Sequence, residues 1–156
     1  MEFGIQKLGP TDLYKFIDLI RVFEEAFEMT NFTLPDEKHL IQLLAKEDFI
    51  VLVAMADNRV IGGLTAYTLQ QYYSILPLVF IYDIAVKSQF QRKGAGKLLI
   101  STLKAYCGAN GYEEMFVLAD EVDEHAIEFY RSTNATEGRV VNFNYTLSGK
   151  AKDFIS

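Results

Sequence analysis

The sequence predicts an α/β fold (α+β in layer terms) whose mixed, mostly antiparallel central sheet is flanked by helices. Three observations predict it. Stretches with apolar residues three and four apart alternate with shorter apolar runs of strand length. Two of those runs, Phe49 to Ala56 and Val60 to Leu69, are joined only by Asp57-Asn58-Arg59 and read as an antiparallel hairpin. A third run, Leu78 to Val86, passes through a glycine-containing loop straight into a strongly periodic helix.

In chain order, residues 3 to 8 give a short first strand before Gly9-Pro10 turns the chain, and Thr11 or Asp12 caps a helix. Leu13, Phe16, Ile17, Ile20, Phe23 and Phe27 supply its apolar stripe. Pro35-Asp36-Glu37 starts a second helix that continues to about Lys46, with acids at its positive dipole end. The hairpin follows. Gly62 and Gly63 within its second strand mark a bulge, a close approach by another group, or plain irregularity. Tyr72 and Tyr73, in the loop before Leu78, either pack on the sheet edge or line a substrate mouth. After the glycine loop, Ala95, Leu98, Leu99, Thr102, Leu103, Tyr106 and Cys107 share one helix face, and Asn110-Gly111 closes that helix. Met115 to Ala119 is the next strand, Asp123 to Ser132 a helix, and Val140 to Leu147 a final alternating strand ahead of a frayed tail.

Composition bounds the function. With 156 residues, 50% hydrophobic and 23% charged, the expectation is one globular domain spanning residues 1–156. A net charge of -6 argues against nucleic-acid binding, which needs a basic face, and is compatible with cationic substrates. One cysteine excludes an intrachain disulfide, and no metal cluster is expected. No apolar run is long enough to span a bilayer, and the opening Met-Glu-Phe-Gly-Ile-Gln-Lys lacks signal-peptide regions, so no membrane partner and a cytoplasmic location are expected.

The chemistry concentrates after Leu78. Gly94 and Gly96 remove side chains where the backbone could close on an anion, the first turn of the helix offers unpaired N–H groups, and Arg92, Lys93 and Lys97 add positive charge. The loop is neither a Walker phosphate loop nor a dinucleotide fingerprint, because Leu99 stands where the latter needs its third glycine. Asp83 interrupts an otherwise apolar strand, where a lone carboxylate is costly unless paired, either by a structural hydrogen bond or by a substrate ammonium. Asp120, Glu121, Asp123 and Glu124 crowd four carboxylates into five residues. They form a solvated loop with Asp123 as a helix cap, or a clamp for a polyamine in which repulsion favours one of them as a base.

Gln91-x-x-Gly94-x-Gly96 directly after an apolar strand resembles the acetyl-coenzyme A signature of the Gcn5-related N-acetyltransferases. Ala126 to Ala135, with its Phe129-Tyr130 pair, resembles that family's second cofactor element. Tyr82-Asp83-Ile84-Ala85-Val86 and the segment Leu118 to Glu124 look most like the small aminoglycoside 3-N-acetyltransferases, and the likeness runs from Asp12 to Leu147. It implies that backbone groups at Ile84, Ala85 and Val86 hold the pantetheine arm of acetyl-CoA. Gln91, Arg92, Lys93, Gly94, Ala95, Gly96 and Lys97 would then hold its pyrophosphate, with Phe129 beside the cofactor. Tyr130 would protonate the leaving thiolate, and Asp83 would bind the amine and help remove its proton. Tyr82, Asp120, Glu121, Asp123 and Glu124 would meet the substrate. Two departures from the family pattern are Asn134, where a glycine is usual, and His125, where proline is common. The implied reaction is direct acetyl transfer to an aminoglycoside in a ternary complex, giving resistance, with a homodimer as the implied assembly. Acetylation of polyamines, other amines or protein N-termini is the alternative within the family, and a non-catalytic coenzyme A-binding module the alternative outside it.

Overall fold

A computed structural model describes residues 2–149. The elements run β1 (Gly4–Lys7), α1 (Leu13–Ala26), α2 (Glu37–Leu44), β2 (Phe49–Ala56), β3 (Arg59–Leu69) and β4 (Leu78–Val86). A 3-10 turn at Ser88–Phe90, α3 (Ala95–Ala109), β5 (Glu114–Val117) and α4 (Glu124–Ser132) follow. The five strands make one sheet in the order β1-β2-β3-β4-β5. Neighbours from β1 to β4 are antiparallel, and β5 pairs parallel to β4. The chain gathers into two compact units, one ending at Val117 and the other beginning at Leu118. The sheet and α1 to α3 belong to the first, α4 to the second.

Residues on β2 are buried on both faces of the sheet, as suits an inner strand. Phe49, Val51 and Val53 join Phe16, Leu19, Val22 and Phe23 of α1 and Leu40 and Leu44 of α2 in one cluster. The alternate residues Ile50, Leu52 and Ala54 face the other way, where α3 packs with Leu99 and Leu103 fully buried. The stripe of α1 centres on Leu19 and Val22 rather than on Ile17 and Ile20, which are only partly buried against the cluster. Asp12 stands at the cap position of α1, but its carboxylate turns back to accept from the Gly9 N–H at 2.8 Å instead of capping the helix. Asp36 does cap α2, accepting from the His39 N–H at 2.9 Å.

Of the alternatives for Gly62 and Gly63, close approach and a bulge are both realised. A Cβ at Gly62 would lie 2.7 Å from the Ala85 carbonyl oxygen, and one at Gly63 would lie 2.5 Å from the Leu52 carbonyl oxygen and 2.7 Å from Leu19 Cδ1. These two positions let β4 and α1 sit hard against β3. A bulge is also present in β3, because Gly62 opposes Ala54 while Val60 opposes Met55, leaving Ile61 between them.

Three expectations need correction. β5 stops at Val117 rather than Ala119. Its last partner is Ile81, and the next residue of β4, Tyr82, is extra in the β3 ladder, since Ala66 opposes Ile81 and Thr65 opposes Asp83. The bulge bends β4 and ends the parallel pairing there. The predicted strand from Val140 to Leu147 does not form: among the described residues this stretch joins no sheet, and its apolar side chains are exposed. Tyr72 and Tyr73 are exposed and pack on each other, ring centroids 4.1 Å apart, not on the sheet edge. Most of the predicted frayed tail, residues 150–156, lies outside the described residues.

Replacing a mid-strand glycine with alanine ordinarily stabilises by about 0.5–1 kcal/mol. Gly63→Ala is expected to do the opposite, costing about 1–3 kcal/mol through overpacking against backbone and Leu19. A lower urea midpoint at unchanged slope would establish this, and a higher midpoint would refute it.

Candidate active site

The two sides of β4 are hydrogen-bonded over different lengths. On one side β3 follows it from Leu78 opposite Leu69 to Val86 opposite Gly62. On the other, β5 pairs only with Leu78 to Ile81. Past the Tyr82 bulge, Ile84, Ala85 and Val86 have no strand neighbour on that side among the described residues. Main-chain donors and acceptors of an inner strand thus face outward from the sheet, the condition for binding an extended, amide-containing ligand as a strand would be bound.

The chain then returns to this end of β4. Gln91 Nε2 donates to the Val86 carbonyl oxygen at 2.9 Å, which ties the loop to the strand end. Arg92 (φ 61) and Gly94 (φ 93) both take left-handed conformations around Lys93. Gly94 is the cap residue of α3 and brings no side chain to its first-turn N–H groups. Residues 91–94 and Lys97 are exposed, while Ala95 is buried and seats the helix start. Left-handed backbone on both sides of Lys93, a helix N-terminus and the cations Arg92, Lys93 and Lys97 are a set that could hold an anion. A diphosphate fits this donor set.

Asp83 is half-buried and stands opposite Thr65, the only buried polar residue among those described. Thr65 is two residues from Gly63, which faces Leu19, so Asp83 points to the α1 side of the sheet. An aromatic row crosses that side. Phe49, Tyr67, Phe80 and Phe116 are partners in register on four consecutive strands. Tyr67 lies 5.1 Å from Phe49 and 5.8 Å from Tyr82, and Phe80 stacks on Phe116 at 4.9 Å. Burial raises the Tyr67 phenol above its ordinary pKa, and the nearby carboxylates of Asp83 and Asp48 raise it further. Tyr67 therefore stays a neutral hydroxyl beside Asp83. Sequence reading missed it, although its alternation with Thr65 and Gly63 on β3 was the available signal.

The second unit places the remaining candidates. Asp123 caps α4, accepting from the Ala126 N–H at 3.0 Å. Asp120 accepts from the Val122 N–H at 3.2 Å, and Glu121 pairs with Arg139 at 2.7 Å. All four acids are exposed, as is His125. Phe129 and Tyr130 are half-buried on α4 with rings edge-on at 5.2 Å. Asn134, at φ 66, takes the left-handed conformation that the usual glycine would.

A model of the acetyltransferase (GNAT) family matches residues 16–134. The chain belongs to this family. The match spans both compact units. No curated protein matches the sequence. Among solved structures, the aminoglycoside acetyltransferase meta-AAC0020 from an uncultured soil metagenomic sample is 50% identical over 94% of this chain and 97% of its own, with a TM-score of 0.92. It was crystallised with trehalose and with sisomicin. The aminoglycoside acetyltransferase HMB0005, also from an uncultured soil metagenomic sample, is 30% identical over 95% of this chain and 100% of its own, with a TM-score of 0.90. AAC(6')-Iy, solved with a bisubstrate analogue of CoA, is 21% identical over 94% and 100% of the two chains at a TM-score of 0.76, a likeness of fold. This GNAT chain is accordingly an N-acetyltransferase.

Gly94 has open space around its would-be Cβ, so its constraint is the backbone angle alone. Gly94→Ala is expected to cost about 1–2 kcal/mol at this turn, weakening coenzyme A binding roughly tenfold by calorimetry. Unchanged affinity would remove this loop from the cofactor site.

Proposed function

We propose that this chain acetylates the 3-amino group of an aminoglycoside, using acetyl-CoA in a ternary complex. The observation that carries the reading is the placement of Asp83. It sits one residue past the bulge, on an aromatic-lined face of the sheet and beside the stretch of β4 that β5 leaves unpaired. The crystallisation of a 50% identical acetyltransferase with sisomicin supports the substrate class.

Acetyl-CoA, when bound, supplies the thioester whose acetyl group moves to the amine. Main-chain N–H groups at Ile84 to Val86 would hold the pantetheine arm and polarise the thioester. The amides of residues 92–97 hold the pyrophosphate. Fixed main-chain dipoles suit this work because they need no reordering as charge develops. Asp83 binds the substrate ammonium and takes its proton, which frees the nitrogen lone pair for attack. With acetyl-CoA bound, a carbon–nitrogen bond would form as the carbon–sulfur bond breaks; Tyr130 would give the departing sulfur a proton, and the second proton shed by the acylated nitrogen would restore the Tyr130 hydroxyl through solvent. Cys107 is a poor candidate for an acyl carrier, since burial pushes its thiol up to about 11. Tyr67 donates to ring hydroxyls of the sugar while the aromatic row lies against its apolar face. Glu121, Glu124 and Asp120 attract the polycation. The whole chain acts as one acetyltransferase domain in the cytoplasm, as a homodimer, and the modified drug loses one positive charge and part of its hold on ribosomal RNA.

Acetyl-CoA-dependent thiol release with gentamicin, kanamycin, spermidine and a short peptide, followed by mass spectrometry, tests the acceptor. A single acetyl group at the 3-amine of an aminoglycoside is expected. Turnover confined to spermidine or peptide would move the acceptor to another amine, and silence throughout would leave a coenzyme A-binding module.

Asp83→Asn is expected to lower kcat by about 10²–10⁴-fold, the range for a lost general base, with coenzyme A affinity nearly unchanged. A near-wild-type rate would take Asp83 out of the mechanism.

Joint reversal of Glu121 and Glu124 to lysine is expected to raise KM for polycations and flatten its salt dependence. If KM held in both low and high salt, the acidic segment would be a solvated loop only.

A further inference from the structure

Asp48 ends the turn that leads into β2, and its carbonyl oxygen accepts from the Thr68 N–H at 2.9 Å. This main-chain bond fixes Asp48 at the side of β3, next to Tyr67. Because Asp48 precedes β2, the alternation of that strand does not commit its side chain to the face opposite Phe49. After burial, the carboxylates of Asp83 and then Asp48 raise the Tyr67 phenol, so its hydroxyl lies within the field of both. Asp48 is exposed, and Tyr67 is 36% exposed. Among the described residues, neither the Asp48 carboxylate nor the Tyr67 hydroxyl has a hydrogen-bond or ion-pair partner. Two polar groups are thus open to a ligand on the side of the sheet that carries Asp83.

We propose that Asp48 and Tyr67 form a second acceptor subsite, which takes a second ammonium group of the substrate while the reacting amine is at Asp83. The three residues follow one another along β3. Asp83 is opposite Thr65, Tyr67 is two residues further on, and Asp48 is bonded to Thr68. At about 3.3 Å per strand residue, the two acids are held about 10 Å apart along the sheet. A charge-assisted hydrogen bond of about 2.8 Å at each end leaves roughly 5–8 Å between two ammonium nitrogens. Tyr67 stands between them. Its neutral hydroxyl has lone pairs that accept from the second ammonium, and its proton remains free for a hydroxyl on the linking atoms. The rings of Phe49, Tyr67 and Tyr82 give those linking atoms an apolar wall.

The acceptor class is therefore a diamine with its nitrogens this far apart on a compact frame, not any primary amine. This rests on the proposed placement of the reacting amine at Asp83, but not on which diamine is acetylated. Asp48 is exposed, so its part is modest: an exposed ion pair contributes about two- to fivefold in affinity and is screened by salt.

Calorimetric titration of the full chain, saturated with coenzyme A and in low salt, compares 1,4-diaminobutane with 1-aminobutane. Asp48→Asn should weaken the diamine about two- to fivefold and leave the monoamine where it was, and Asp48→Glu should keep the diamine's advantage. Tyr67→Phe should also weaken the diamine more than the monoamine. Added salt should reduce diamine affinity more steeply in the wild type than in Asp48→Asn. Asparagine keeps both the side-chain volume and the main-chain bond to Thr68, so the variant retains the fold. Equal losses for the two amines in Asp48→Asn, or no loss for either, would overturn the subsite, as would a wild type that binds neither. Unmoved affinity for 1-aminobutane in Asp83→Asn would show that the reacting amine lies elsewhere, and would overturn the subsite with it. Mass spectrometry of the acetylated product separates either failure from an error over which amine is acetylated.

Discussion

The site depends on where the parallel pairing of β4 and β5 ends. β4 is nine residues long and pairs with β3 from end to end, but β5 accompanies only its first four. A strand deep in a sheet normally has both rows of backbone groups satisfied by neighbours. Here β5 pairs with less than half the strand, and Ile84 to Val86 have no strand neighbour on that side among the described residues. The Tyr82 bulge causes this, because the extra residue bends β4 away from the line that β5 follows.

A bent strand with an unpaired flank must be held in place from its other side, and β3 does so through residues that are too small to hold it off. Gly62 brings β3 against Ala85 and Val86, and Gly63 brings α1 against β3. The same register sets Thr65 opposite Asp83 and Tyr67 opposite Phe80. The carboxylate thus stands half-buried on a mostly apolar surface. The small residues of β3 set both the close packing of the sheet and the position of that carboxylate.

Elements with a strong local signature were legible in the sequence. β4 was bounded correctly from Leu78 to Val86 because branched and aromatic residues fill it, and Asn110-Gly111 marked the end of α3, where Gly111 takes φ 77. The left-handed turn into α3 was legible for the same reason, since φ 93 at Gly94 favours glycine. Pairing was not legible. The Tyr82 bulge and the early end of β5 are properties of two strands together, and no single segment encodes them. Tyr67 went unnoticed because its role comes from a register, not from a motif. The acidic run allowed two readings; the fold realises the helix cap expected of Asp123, and gives Asp120 a turn and Glu121 an arginine that the sequence did not show. The error at Val140 to Leu147 is of another kind. The alternating pattern is that of a strand, but a strand needs an edge, and the pattern does not say whose.

That last point bears on the whole second unit. None of its described residues is fully buried, α4 included, and Val122 is 82% exposed. A segment of this length with no core of its own cannot repay the entropy of ordering its backbone, which is about 1–2 kcal/mol per residue. Its ion pairs do not change the balance. Arg131 with Glu137 and Arg139 with Glu121 are exposed, and such pairs contribute little. Order here must come from groups outside the segment. On the proposed reading the cofactor beside Phe129 and Tyr130 supplies part of it, because a ligand that binds only the ordered form stabilises that form by mass action.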